Sequence, residues 1–362
     1  MRFPNIGEYK ETQKKISPFI NYTPLTTSSS FNNLFNIDAY FKLELFQKTG
    51  SFKVRGALNK ILSLSSNEKK NGVVTISAGN HAQAVSWASS LFGIHSKIVM
   101  PINASKSKIN ATKSYGGEVI LTSENMMDVC NEIIKKDKLT MVHPFDDLDV
   151  IQGQGSISLE ILKELKNIDN VFISIGGGGL ISGMSHVFKL FNPNIKIYGI
   201  EPVNSNVMSK SLKSGKVENF DTINNKTIAD TLAAPFSGKI TLEYVKKFVD
   251  DIILVSEKEM GISDEHEGII EVDQKYNIGD SFSAIFGLND PIIEINITPN
   301  RSDCLSVRGI ARDLQAAGAG KLKELKINHS KGKFSSPIKW LRKFDKKRKS
   351  YVLEFLEDFL RM

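Results

Sequence analysis

The run Asn170-Val-Phe-Ile-Ser-Ile175 is apolar almost throughout, and Gly176, Gly177, Gly178 and Gly179 follow it without a break. Such a run reads as a strand of a parallel sheet covered on both faces. Residues 180–190 then take helical spacing. Between a strand and a helix, backbone free of side chains can turn its N–H groups onto an anion, and the helix dipole adds attraction. The spacing therefore predicts a phosphate cradle. It is not a P-loop, because no Gly-Lys-Ser/Thr follows, and not a GxGxxG fingerprint, because Ile181 stands where the third glycine belongs. Four glycines alone would equally make a flexible turn; the strand before and the helix after decide for phosphate.

The same alternation runs through the rest of the first 255 residues. Residues 5–17 read as a charged helix, with short strands at 23–25 and 39–43 flanking a helix near 28–34. Strands are expected at 73–77, 97–100, 118–121 and around 140–142, with helices at 81–91, 105–115 and 124–136 between them. Helical spacing returns at 156–165, and strands at 196–201 and 251–255. Strands alternating with helices define an α/β fold with right-handed crossovers.

Lys53 stands among Gly50, Ser51, Phe52, Val54 and Gly56. An amine in apolar surroundings loses its charge, its pKa falls, and it can attack a carbonyl. The plainer reading is a surface lysine opening a helix. Two later stretches decide against it, Ser77-Ala-Gly-Asn-His-Ala-Gln83 and Ser174-Ile-Gly-Gly-Gly-Gly-Leu180. In this order the three stretches resemble the threonine/serine dehydratase family, relatives of serine racemase, over about residues 6–260. The resemblance implies a fold-type II pyridoxal-phosphate enzyme, two α/β domains with the cofactor between them. A small domain of about residues 49–145 would be inserted in a larger one within 1–260.

Residue by residue, the resemblance makes Lys53 the catalytic group that holds pyridoxal 5'-phosphate and takes the substrate α-proton. Phe52, Asn80, Gly176, Gly177, Gly178, Gly179 and Leu180 would complete the cofactor site, Asn80 by bonding its phenolic oxygen. Ser77, Ala78, Gly79 and His81 would receive the substrate carboxylate, largely through backbone N–H groups at a helix N-terminus. Serine racemase-like members carry a serine where Ala78 stands, as the acid/base on the opposite face of the substrate. Alanine there favours elimination over racemisation. The expected reaction is β-elimination of L-threonine or L-serine to a 2-oxo acid and ammonia. The stretch 144–155 matches as well, and reads as packing and loop architecture.

There are departures from the pattern. Glu201-Pro202 resembles the start of a divalent-cation site, but Val207 stands where an acidic partner belongs, so no metal is expected. Thr231 replaces a glycine and is expected to narrow the pocket. The family's later Ser-Gly-Gly-Asn segment, whose serine meets the pyridine nitrogen, does not occur in residues 261–362. Weak cofactor occupancy is expected from the loss of that contact.

From Ser256 the chain resembles a different family, the β subunit of bacterial phenylalanyl-tRNA synthetase. The motifs are Ser256-Glu-Lys-Glu-Met-Gly-Ile, Gly287-Leu-Asn-Asp-Pro-Ile-Ile and Thr298-Pro-Asn-Arg-Ser-Asp-Cys304. Residues 261–349 are read as a structural fragment with a helix at 306–317. Residues 350–362 leave that resemblance and are read as a frameshifted end, with a helix over 350–360 as its by-product. The alternative function is accordingly a non-catalytic synthetase fragment or an inert chimera of two genes.

Charge supports the division. Of 47 Lys and Arg residues, 12 lie in residues 319–350 against 2 acids, so the net +7 belongs to the tail. That tail, self-repelling, is expected to be the least ordered part, and its basic run reads as a solvated face more than an RNA contact. A small amino acid is the expected substrate, a homodimer is compatible with the family, and tRNA or a synthetase α subunit carries little weight as partner. Two cysteines and no apolar leader fit a reducing cytoplasm, and nothing points to a membrane.

Overall fold

The computed structural model describes residues 2–220, 227, 229–256, 311–312, 315, 321, 340–345 and 350–355. Contacts divide the chain into two units, Met1–Glu271 and Val272–Met362. The first opens with α1 (Ile6–Ile16), whose N-cap Asn5 and Glu8 form a reciprocal capping box. β1 (Leu25–Thr27), α2 (Ser29–Phe35) and the antiparallel β2 (Tyr40–Lys42) follow. Next come α3 (Lys53–Ser63), α4 (Ser66–Asn71), β3 (Val73–Ile76), α5 (Asn80–Ser90), β4 (Ser96–Pro101), α6 (Lys106–Ser114), β5 (Glu118–Thr122), α7 (Met126–Asp137) and β6 (Thr140–Met141). The unit continues through α8 (Leu148–Glu164), β7 (Asn170–Ser174), α9 (Gly179–Phe191), β8 (Lys196–Pro202), α10 (Val207–Ser214), α11 (Lys239–Phe248) and β9 (Asp251–Val255).

Two parallel sheets result, in the orders β5-β4-β3-β6 and β7-β8-β9. In the first, Val73, Ile98 and Met100 share a core with α3 and α5, while Val74 and Val99 share another with Cys130 and Leu139 on the α7 side. In the second, Ile173 and Ile197 pack with Ile181, Val187 and Phe188 of α9 and with Leu242 and Val245 of α11. The opposite side of β7 is open: Phe172 is 63% exposed. The expectation that this strand is covered on both faces fails among the described residues, whose helices lie against only one side of its sheet.

The structure adds detail at three other places. The stretch read as loop architecture up to residue 155 is helical from Leu148, where the Asp147 carboxylate accepts from the backbone N–H groups of Asp149 and Val150. Its glycines serve helix packing. A Cβ at Gly153 would meet the Gly56 Cα at 2.6 Å, so α8 and α3 pass almost backbone to backbone. Glu201, read against a cation site, is fully buried and accepts from Met208 N, Ser209 N and Ser209 Oγ at 2.8, 2.9 and 2.7 Å. Its charge is spent on the first turn of α10, in keeping with the dipole there. Thr231 is exposed in the short turn Asp230–Leu232, and it is Leu232 that lies against Gly176.

In the second unit, β10 (Trp340–Asp345) pairs antiparallel with β11 (Ser350–Phe355). The helix expected over 350–360 is thus a strand as far as Phe355, as the β-favouring Tyr-Val-Leu-Glu-Phe composition allows. Strand pairing also reaches into the tail expected to be least ordered. Ala311, Arg312 and Gln315 are helical, within the helix expected at 306–317. Of the synthetase-like stretches, which also include residues 305–314, only Ser256, Ala311 and Arg312 lie among the described residues. Among the described residues no helix is long and apolar enough to cross a membrane, and no cluster of metal-ligating side chains occurs.

Candidate active site

Lys53 is the first residue of α3, placed there by Phe52 at the N-cap and by Ser51, whose Oγ accepts from Lys53 N at 3.4 Å. Its Nζ donates to the Pro144 carbonyl oxygen at 2.8 Å and lies 5.4 Å from the centroid of the Phe52 ring. No described carboxylate pairs with it. Burial without a counter-charge pulls its pKa from the usual 10.5 down to about 8. The carbonyl accepts a hydrogen bond from either the amine or the ammonium, more strongly from the latter, so the contact orients the nitrogen while burial sets the direction of its pKa shift.

The segment after β6 supplies groups absent from the sequence expectations. His143 Nδ1 accepts from Phe145 N at 3.2 Å and from Asp146 N at 2.8 Å. Both partners are N–H donors, so the proton of this imidazole is on Nε2. Burial, helped by nearby Lys53, lowers its pKa to about 4 against the pull of Asp146 and Asp147. Asp146 in turn accepts from Lys239 N, Ile240 N and Thr241 N at 3.0, 2.8 and 3.2 Å, capping α11. Thr241 Oγ1 donates to the Gly177 carbonyl at 2.8 Å. Lys53 is therefore linked to the glycine loop by a hydrogen bond to Pro144, by the backbone from Pro144 to Asp146, and by hydrogen bonds from Asp146 to α11 and from Thr241 to Gly177.

In that loop Gly178 has φ +94°, the left-handed region that favours glycine, and forms the N-cap of α9 with no side-chain cap. A Cβ at Gly177 would overlap the Phe145 ring. The first N–H groups of α9 are thus left to a ligand. Gly176 and Gly177 are half-buried, Gly178 and Gly179 buried, and Leu180 half-buried as it continues the first turn of the helix.

Residues 77–81 pass from the end of β3 into α5. Ser77 Oγ accepts from Gly79 N at 3.1 Å, and α5, like α9, has no side-chain cap. A Cβ built on Gly79 meets open space, and no described group bonds the Asn80 amide. His81 differs from its neighbours. Its Nε2–H donates to the Val142 carbonyl at 3.0 Å, and Nδ1 has no partner. Burial, then Lys53 and His143, lower its pKa to about 3. The His81 side chain is therefore a neutral brace between α5 and the end of β6, and only its backbone N–H is placed to receive an anion.

A buried ionic group holds α3 in place. Arg55, fully buried, donates to both Glu160 oxygens at 2.6 and 3.0 Å and to both Glu44 oxygens at 2.8 Å. Lys42 Nζ reaches Glu160 at 2.7 Å. The bidentate geometry fixes α3 against α8 two residues beyond Lys53.

A buried, uncompensated lysine and a glycine cradle at an uncapped helix N-terminus define a site for a carbonyl-bearing anion, here built from the C-terminal ends of two parallel sheets. The residues fit pyridoxal phosphate: an amine of depressed pKa, a free asparagine amide and an open phosphate cradle. A family model described as pyridoxal-phosphate dependent enzyme matches residues 16–261, and the chain belongs to that family. It is 39% identical over 260 residues to a serine racemase from Schizosaccharomyces pombe, covering 71% of this chain and 80% of that one. It is 43% identical over 259 residues to an L-threonine ammonia-lyase from Thermotoga maritima, covering 70% of this chain and 64% of the other. The solved structure of maize serine racemase aligns with TM-score 0.67 at 38% identity, covering 70% of this chain and 77% of that one. The protein is thus a pyridoxal-phosphate dependent relative of threonine dehydratases and serine racemases.

Proposed function

We propose that the chain eliminates water from L-threonine or L-serine, giving a 2-oxo acid and ammonia. The observation that carries this reading is the pairing of Lys53, buried with a pKa near 8, with Ala78, which has no proton to give. Lys53, Asn80 and the N–H groups of residues 176–180 would hold pyridoxal phosphate, with Phe52 against the lysine. Bound there, the cofactor supplies an electron-withdrawing ring that stabilises negative charge at the substrate α-carbon. Ser77 N is taken by the Val99 carbonyl and Gly79 N by Ser77 Oγ, so the Ser77 hydroxyl and the N–H groups of Ala78, Asn80 and His81 are the ones that would orient the substrate carboxylate. Lys53 Nζ, neutral in a large share of molecules near pH 8, takes the α-proton. The β-hydroxyl leaves and takes up a proton as water, and hydrolysis of the resulting enamine-derived imine releases ammonia and the 2-oxo acid.

Racemisation is the competing reading, since named relatives are racemases. It needs a second proton donor on the opposite substrate face, and Ala78 supplies none. Purified full-length chain with added pyridoxal phosphate should form pyruvate from L-serine or 2-oxobutanoate from L-threonine. D-serine accumulating without pyruvate would overturn the assignment. The synthetase-like reading of residues 261–349 rests on its sequence motifs, and a salt-sensitive complex with tRNA is the measurement that would support it.

A further inference from the structure

Three consecutive residues after β6 meet three different parts of the site. The Pro144 carbonyl accepts from Lys53 Nζ. The Phe145 ring fills the space that a Cβ at Gly177 would need, and a Cβ at Gly179 would stand 2.9 Å from the Phe145 Cα. The Asp146 carboxylate takes the N–H groups of Lys239, Ile240 and Thr241, the first turn of α11. Gly238, the N-cap of that helix, has no side chain to offer, and a Cβ there would overlap the Asp146 carboxylate. Thr241 completes the path, its Oγ1 accepting from Gly238 N at 3.0 Å and donating to the Gly177 carbonyl at 2.8 Å. The turn itself is braced, because His143 Nδ1 holds the N–H groups of both Phe145 and Asp146. Capping α11 does not by itself call for this arrangement, since Ser, Thr, Asn or Asp at position 238 would serve the helix alone.

We infer that Asp146 is a positioning residue that holds Lys53 and the glycine cradle at one fixed separation. Pyridoxal phosphate joins its aldehyde to its phosphate through a rigid ring. Both ends are gripped together only if amine and cradle stand at the matching distance, and the second grip is then intramolecular, with a high effective concentration. Asp146 acts through its chain neighbour Pro144 on one side and through Thr241 on the other. The inference rests on the cofactor that the family uses and not on the reaction proposed above. Its test contains no amino-acid substrate, so a chain that forms no 2-oxo acid would overturn that reaction and not this role.

Three probes separate the two ends. Pyridoxal offers the aldehyde alone, inorganic phosphate the anion alone, and pyridoxal phosphate both. Full-length chain is titrated with each, the aldehydes followed by the absorbance of lysine-bound ligand and phosphate by phosphorus-31 NMR line width. In Asp146→Asn the affinity for pyridoxal phosphate should fall at least about tenfold, the order expected for one lost hydrogen bond to a charged group. The affinities for pyridoxal and for inorganic phosphate should hold. Thr241→Val removes the hydroxyl that reaches Gly177 and keeps the size of the side chain; it should give the same pattern. The double variant should lose no more than the larger single loss, as two links of one path do. Pyridoxal weakened as much as pyridoxal phosphate, or phosphate weakened in step with it, would make both residues merely structural and overturn the inference. So would additive losses in the double variant, an unchanged affinity for pyridoxal phosphate, or a parent chain that binds pyridoxal phosphate no better than pyridoxal. If Asp146→Asn loses the far-ultraviolet circular dichroism of the parent, Thr241→Val alone decides among the single-variant outcomes.

Discussion

In the β5-β4-β3-β6 sheet, neighbouring residues of β3 and β4 point to opposite sides and both sides are filled, Val73 and Ile98 against α3 and α5, Val74 and Val99 towards α7. In the β7-β8-β9 sheet the same alternation fills one side only, leaving Phe172 and Ile253 in the open. The two halves of the site inherit this difference. Lys53 and residues 77–81 are anchored on the region whose packing is complete. The glycine cradle follows β7 and is anchored on the region with one face uncovered. Under the proposed function, covalent attachment and proton transfer would rest on the firmer half, and phosphate binding on the half with less cover.

The largest effect should come from the firm half. Lys53→Ala should lower 2-oxo acid formation by more than about a thousandfold, because it removes both the attachment point and the base. The visible absorbance band of lysine-bound cofactor should vanish with it; a band of undiminished intensity would show that another lysine holds the cofactor.

Next in size is the link between the two regions. Arg55→Met removes the partner of two buried carboxylates and should cost on the order of 3–5 kcal/mol in urea unfolding. A cost below about 1 kcal/mol would mean that α3 and α8 are held by packing alone, and the contrast between regions would lose its hinge.

The contrast itself is tested by one pair of truncations. Ile98→Ala, in the filled sheet, should cost about 3 kcal/mol, as deletion of a buried branched side chain does. Ile253→Ala, on the open face, should change stability by less than about 0.5 kcal/mol. Equal costs for the two would show that the second sheet is covered in solution.

The last comparison is a slope with pH. Folded Lys53 has its pKa lowered from 10.5 to about 8, so between these values the unfolded chain binds more protons. Stability should therefore rise as pH climbs from about 8 to about 10.5, the penalty being fully present below 8. Comparing the parent with Lys53→Met isolates this contribution, and parallel stability–pH curves for the two would contradict the depressed pKa.

Much of this architecture is legible in the chain read alone. The alternation of apolar strands and spaced helices placed the strands of both parallel sheets to within a few residues, because period is a local property of a few successive side chains. The motifs around Lys53, Asn80 and residues 176–179 pointed to the cofactor, since each carries its chemistry within one short segment. The stretch 144–155 reads as packing and loop architecture; its glycines do serve packing, but Gly153 and Gly155 do so from within α8, where they let other helices pass closely.

The tertiary structure decided what depends on residues distant in sequence. Pro144 presents its carbonyl to a lysine 91 positions away, and Asp146 caps a helix whose Ile240 lies 94 positions on. The sequence does not show what Glu201 meets until α10 folds back onto it, and His81 reads as a ligand contact until Val142 takes its ring. No local pattern shows which carbonyl, carboxylate or helix terminus a side chain will meet, because that choice is made by the packing of whole layers. The β7-β8-β9 sheet is the clearest case: its strand sequences ask for cover on both sides, and only the arrangement of the helices reveals that, among the described residues, one side is covered.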